Sequence, residues 1–149
     1  MCGPAGAGKS TIARRLESGG MVRLSFDEAA WRMGFRAMPL EAGPRREIEA
    51  ALQSRLIKLV QSGFDVVLDF SFWSLNMREE YRRLLRPLGV EPETIYMATP
   101  REVALERIRG RAAGHADDFR LSEKLAAKYF DNFEVPTAEE GPLEVIVFP

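Results

Sequence analysis

Gly3-Pro4-Ala5-Gly6-Ala7-Gly8-Lys9-Ser10 satisfies the pattern G-x-x-x-x-G-K-[ST] at every position, and Thr11 and the helical run Ile12 to Glu17 follow directly. These residue types suit one chemistry. Small residues let successive backbone N–H groups turn inward around phosphate oxygens, forming an anion nest at a helix N-terminus. Lys9 adds a point charge for the β- and γ-phosphates of a nucleoside triphosphate, and the Ser10 hydroxyl is placed to ligate Mg²⁺. ATP and Mg²⁺ are the expected cofactors, with Gly3 through Thr11 as the binding segment.

Two carboxylates come next. Asp27 stands two residues past the expected strand Met21 to Ser25, and Asp69 ends the expected strand Phe64 to Asp69. Open α/β sheets bind ligands beyond the carboxyl ends of their strands, so both are candidates. Asp27 is expected to orient an acceptor hydroxyl and take its proton, although capping the following helix is a simpler use. Asp69 is expected to hold Mg²⁺, directly or through water.

Arg101, Arg107, Arg109 and Arg111 form a basic cluster, with Arg120 beyond a stretch of small and polar residues that carries His115. Arg107 and Arg111 share a helix face if the helix continues through Gly110. As part of a lid at about 107–120 they could neutralise charge on a transferred phosphoryl group. Cations also collect at helix C-termini because of the macrodipole alone. Trp31, Phe35, Phe70, Phe72 and Trp73 flank the carboxylates. They could wall an acceptor pocket, with Arg32 or Arg36 gripping an anion, and core packing is the competing use of such rings.

Short apolar strands alternating with amphipathic helices must position these groups, which is the pattern of an α/β domain with a mainly parallel sheet. Strands are expected at Met21–Ser25, Phe64–Asp69, Thr94–Ala98 and Leu143–Phe148. Ile48, Ala51, Leu52, Leu56, Leu59 and Val60 recur at three- and four-residue spacing, so a long helix runs from Pro44 to Gly63. Asn76 with Glu79 suggests the start of another helix, and Thr99-Pro100-Arg101-Glu102 reads as an N-cap, a first-turn proline and a reciprocal glutamate. Ser122 begins a last helix whose Leu125, Tyr129, Phe130 and Phe133 can face a core.

Composition removes other classes. The 149 residues carry 21 Lys+Arg and 22 Asp+Glu, for a formal net charge of −1, without the basic footprint of a duplex-nucleic-acid binder. A groove for a single strand stays open. The longest apolar run is four residues, far below the roughly 20 that cross a bilayer. Cys2 is the only cysteine and His115 the only histidine, so neither an intramolecular disulfide nor a structural zinc site is expected. One domain over residues 1–149 in a reducing cytoplasm is the expectation. The phosphate loop should follow a strand inside the sheet, yet only Met1 and Cys2 precede Gly3. The natural chain is therefore expected to start upstream, with Met1 inside a truncated first strand.

Together these residues resemble the small P-loop kinases that include chloramphenicol phosphotransferase and zeta-type toxins. The resemblance rests on Gly3 to Thr11, Leu24-Ser25-Phe26-Asp27-Glu28, Val66-Val67-Leu68-Asp69 with Phe72-Trp73 and Arg78, Glu106-Arg107 to Arg111, Phe119-Arg120, and Phe133-Glu134-Val135-Pro136. It implies a P-loop NTPase three-layer α/β/α fold with strand order 2-3-1-4-5. It also implies that Asp27 activates the acceptor hydroxyl and that Arg107 and Arg111 are lid arginines. No N-K-x-D guanine-reading motif occurs. The expected activity is ATP-dependent phosphoryl transfer to a hydroxyl of a small molecule. A polynucleotide or nucleoside 5′-hydroxyl kinase is one alternative, weakened because Arg32 lies five residues after Asp27 where the D-x-x-R spacing needs three. A nucleotide-dependent binding or regulatory module that transfers no phosphate is another.

Overall fold

The computed structural model describes residues 1–110, 119 and 121–147. In chain order the elements are α1 (Lys9–Ser18), β1 (Val22–Ser25), α2 (Phe26–Arg32), α3 (Ala42–Gln61), β2 (Val66–Asp69), α4 (Leu75–Leu85), β3 (Thr94–Ala98), α5 (Arg101–Arg109), α6 (Glu123–Asp131) and β4 (Leu143–Val147). Short 3₁₀ turns follow α4 at Arg86–Leu88 and precede β4 at Ala138–Glu140.

Among the described residues both strand pairs are parallel. β1 pairs with β2 in the register Ser25↔Asp69, and β3 pairs with β4. Residues Met1 to Gly3 lie between the two pairs. Cys2 bridges Tyr96 in parallel, donating to Ile95 O at 2.8 Å and accepting from Met97 N at 2.9 Å. On the other side the Met1 nitrogen donates to Leu68 O at 2.8 Å, and Gly3 N to Ser71 O at 3.1 Å. Counting Met1–Cys2 as a first strand, the order is 2-3-1-4-5. The segment that enters the phosphate loop is thus clamped from both sides by backbone hydrogen bonds.

Packing explains the element boundaries. Ile48, Leu52 and Leu56 of α3 are buried at four-residue spacing against Leu24 and the rings of Phe70, Phe72 and Tyr81. Burial of each such aliphatic side chain contributes about 1.5–3 kcal/mol. Ala51 of the expected stripe is exposed, because the buried face turns through every fourth residue. The start of α4 is Leu75, not Asn76: Ser74 sits extended at φ −125°, ψ 152°, and its hydroxyl accepts from Met77 N. α5, by contrast, starts one residue later than expected, with Pro100 at the N-cap. Thr99 Oγ1 instead donates to Ala7 O at 2.9 Å. In α6 the buried residue is Ala126, packed with Leu105 and Ile108 of α5, while Tyr129 is exposed. A small residue there lets the two helices approach closely. Phe133 stacks on Tyr96 as a core-facing ring.

Candidate nucleotide site

The loop Gly3–Gly8 leads into α1 through two glycines with left-handed backbone, Gly6 at φ 79° and Gly8 at φ 94°. Gly8 is the N-cap of α1, with no side chain capping the helix and no acidic residue in its first turn. The partial positive charge of that terminus is left for an external anion. Gly6 is also required by space: a Cβ there would lie 2.3 Å from Ala104 O of α5. The loop is pressed against α5, and the Thr99 hydroxyl bond to the fully buried Ala7 holds the next residue. Lys9 Nζ arches back to Pro4 O at 2.9 Å, spanning the loop it would serve.

Ser10 and Asp69 meet beside this loop. Ser10 Oγ donates to Asp69 Oδ1 at 3.2 Å, and the Asp69 side chain is only 2% exposed. Its other oxygen, Oδ2, accepts from Arg23 Nη1 at 2.7 Å. Arg23 lies on β1 with its side chain 4% exposed, and its fork also engages Glu17 of α1 at 3.2 Å and Glu28 of α2. Sequence reasoning overlooked Arg23. The available signal was an arginine in the middle of a short strand flanked by Val22 and Leu24, where burial demands partners for the guanidinium.

Asp27 is the second residue of α2. That helix starts directly after β1, with Ser25 as N-cap accepting from Glu28 N at 3.2 Å. Because Ser25 is paired in register with Asp69, Asp27 stands at the same end of the sheet as Asp69. Capping therefore falls to Ser25. Arg107 of α5 brings Nη1 to 3.5 Å from Gly6 O, placing this arginine at the loop. Arg111, His115 and Arg120 lie outside the described residues, as does most of the expected lid.

The acceptor-side candidates are dispersed. Arg32 is 71% exposed and pairs with Glu28 at 3.5 Å. Phe72 is a core ring: it is buried between Phe70 and Tyr81, with centroids at 5.5 and 5.0 Å, and its backbone is left-handed at φ 44°. Trp73 is exposed. Trp31 packs edge-on against Phe119 and carries the Arg36 guanidinium 4.0 Å above its ring. Arg36 is occupied there and by the carbonyls of Trp31 and Phe35. Cys2, next to the loop, is buried with Sγ directed at Phe72 O, and burial pushes its thiol pKa up, which disfavours the reactive thiolate.

The donor set suits Mg²⁺. Ser10 Oγ and Asp69 Oδ1 are hard oxygens side by side at the phosphate loop, and Mg²⁺ is commonly held by one or two protein oxygens, with phosphates and water completing the octahedron. No group of three or more His, Cys, Asp or Glu able to cage a metal occurs among the described residues.

A family model described as an AAA domain, AAA_33, matches residues 1–136. The chain belongs to this AAA domain family. It is a P-loop nucleotide-binding domain, and its α/β architecture is that of P-loop NTPases. Among solved structures the AAA_33 chain is similar to Chaetomium thermophilum Kti12 in complex with ADP-AlF3. The TM-score is 0.71 at 19% identity, over 99% of this chain and 87% of that one. No curated protein matches the chain. Among the described residues no helix is long and apolar enough to cross a membrane.

Proposed function

We propose that this AAA_33 domain is an ATP- and Mg²⁺-dependent phosphotransferase, a single kinase domain that transfers the γ-phosphoryl group to a hydroxyl of a small-molecule acceptor. The chloramphenicol phosphotransferase and zeta-toxin resemblance supports this reading. The observation that carries it is the Ser10–Asp69 pair at the mouth of a complete phosphate loop, with Asp27 at the adjacent strand end.

Backbone N–H groups of Gly6 to Ser10 bind the phosphates, and Lys9 leaves Pro4 O to neutralise the β- and γ-oxygens. Ser10 and Asp69 would hold Mg²⁺, which would supply charge neutralisation to the bound phosphates. Asp27 orients the acceptor hydroxyl and takes its proton as the oxygen attacks phosphorus. Arg107, together with Arg111, steadies charge on the transferred group. Because such transition states are loose, positioning and electrostatics supply most of the catalysis. The fold neighbour's complex with ADP-AlF3 supports an adenine nucleotide at this loop.

A second reading has its own observation. Arg32 is solvent-facing and Phe72 lies in the core, so these two acceptor-pocket candidates do not converge on one cavity. A nucleotide-dependent regulatory module needs no acceptor pocket. Asp27→Asn separates the two. In a screen of hydroxyl-bearing metabolites for ATP-dependent phosphate incorporation, the kinase reading expects transfer by the wild type and loss of about 10²-fold or more in the variant, with ATP affinity kept. ATP binding without phosphate incorporation into any acceptor class supports the regulatory module instead.

A further inference from the structure

Arg23 is a buried guanidinium that ties the phosphate-loop helix, the acceptor-side helix and the site carboxylate to each other. Its Nε meets Glu17 Oε2 near the end of α1 at 3.2 Å, Nη2 meets Glu28 on the first turn of α2, and Nη1 meets Asp69 Oδ2 at 2.7 Å. The planar fork imposes this geometry, because its donors point in fixed directions that a lysine ammonium cannot reproduce together. One consequence concerns Asp69. With Oδ2 occupied by Arg23, Oδ1 is the oxygen turned to Ser10. A buried carboxylate held by one oxygen presents the other in a single orientation.

We propose that Arg23 is a positioning residue. It aims Asp69 Oδ1 at the site shared with Ser10, and it locks α2, which carries Asp27, to the nucleotide-binding helix. This inference rests on the nucleotide- and Mg²⁺-binding reading of the site and adds a residue to it. In this reading Arg23 acts through Asp69 and Glu28. Groups that hold a metal-binding side chain from behind typically govern metal affinity by 10–100-fold, so the effect is measurable at equilibrium.

The test is calorimetric titration of ADP into the full chain, with and without MgCl2. It takes the ratio of the two affinities as the readout. Arg78→Lys serves as the control. Arg78 is another buried arginine held bidentately, by Glu140, and belongs to no part of the site. We expect Arg23→Lys to reduce the Mg²⁺-dependent gain in ADP affinity about tenfold. Arg78→Lys should lower the melting temperature and leave that gain unchanged. Should Arg23→Lys fail to fold, Glu28→Gln removes the charge that pairs with one arm of the fork at a partly exposed position, and should reduce the gain about threefold. The proposal is overturned if Arg23→Lys, or Glu28→Gln in its place, keeps the wild-type Mg²⁺ gain. Wild-type protein that binds no ADP at all removes the underlying reading along with the proposal. Wild-type binding with an unaltered gain in the variants removes the proposal alone.

Discussion

Ser10 at the start of α1 and Asp69 at the end of β2 are 59 residues apart in sequence, and their side-chain oxygens lie 3.2 Å apart. The contact joins the nucleotide loop to a neighbouring strand end through atoms that can share a cation. Its environment follows from strand order: residues 1–3 enter the loop between β2 and β3, so β2 ends beside the first turn of α1.

Lys9 reaches Pro4 O across the loop, a partly buried contact. Lys9→Ala should weaken ATP binding by about 2 kcal/mol, the usual value of a charged hydrogen bond, or roughly 30-fold in Kd. Stability should change little. Calorimetric titration checks the first expectation and urea denaturation the second; unchanged affinity argues against phosphate binding at this loop.

Gly6→Ala combines a left-handed backbone with a 2.3 Å approach to Ala104 O, which belongs to helix backbone and cannot rotate away. Strain alone costs of order 1–3 kcal/mol, and the clash pushes the loop off α5. The expected result is a lower denaturation midpoint together with loss of ATP binding. A variant that binds ATP like the wild type would show that the loop does not need its seat on α5.

Phe72→Ala tests whether that ring belongs to the core. Removal of a phenyl group packed between Phe70 and Tyr81 should cost about 3–5 kcal/mol, with ATP affinity retained by the folded fraction. A near-neutral effect on stability, accompanied by a changed KM for the acceptor, would instead return Phe72 to the pocket wall.

Acid should weaken the contact between α4 and the segment before β4. Arg78 donates to both oxygens of Glu140, at 2.7 and 2.9 Å, and that hydrogen-bonded pairing holds the Glu140 carboxyl below its ordinary 4.5. A depressed carboxyl pKa contributes stability that is fully present above the unfolded value and is lost as pH falls through the lower folded value. Stability should therefore drop as pH goes below about 4.5, and Glu140→Gln should flatten that part of the curve. Arg78→Ala leaves Glu140 to Arg82 at 3.4 Å and to Thr137 N at 3.1 Å, so losing the charged hydrogen bonds should cost about 1.5–3 kcal/mol near neutrality. Denaturant melts between pH 3 and 7 measure both.

The cap positions show where sequence signals lost to tertiary demand. Asn76 and Thr99 each carry a plausible helix-start pattern, but Ser74 lies at the position whose extended backbone feeds α4, and Thr99 spends its hydroxyl on Ala7. With Pro100 as the N-cap of α5, Thr99 stands one residue outside the helix start, and its hydroxyl serves the phosphate loop instead. The α6 stripe held in part: Phe133 stacks on Tyr96, while contact with α5 selected Ala126 and left Tyr129 exposed.

The sequence by itself determined the phosphate loop, the alternation of strands and helices, and the two carboxylates at strand ends. Each is a local property. A glycine pattern answers a steric demand within eight residues, and periodicity reports which face is apolar. Tertiary structure alone decided the partners: Arg23 with Asp69 across 46 residues, Arg78 with Glu140 across 62, and Thr99 with Ala7 across 92. A buried charge or hydroxyl must be matched wherever the register of neighbouring strands and the seating of helices place it. That register arises only when the sheet assembles, and no spacing along the chain encodes it.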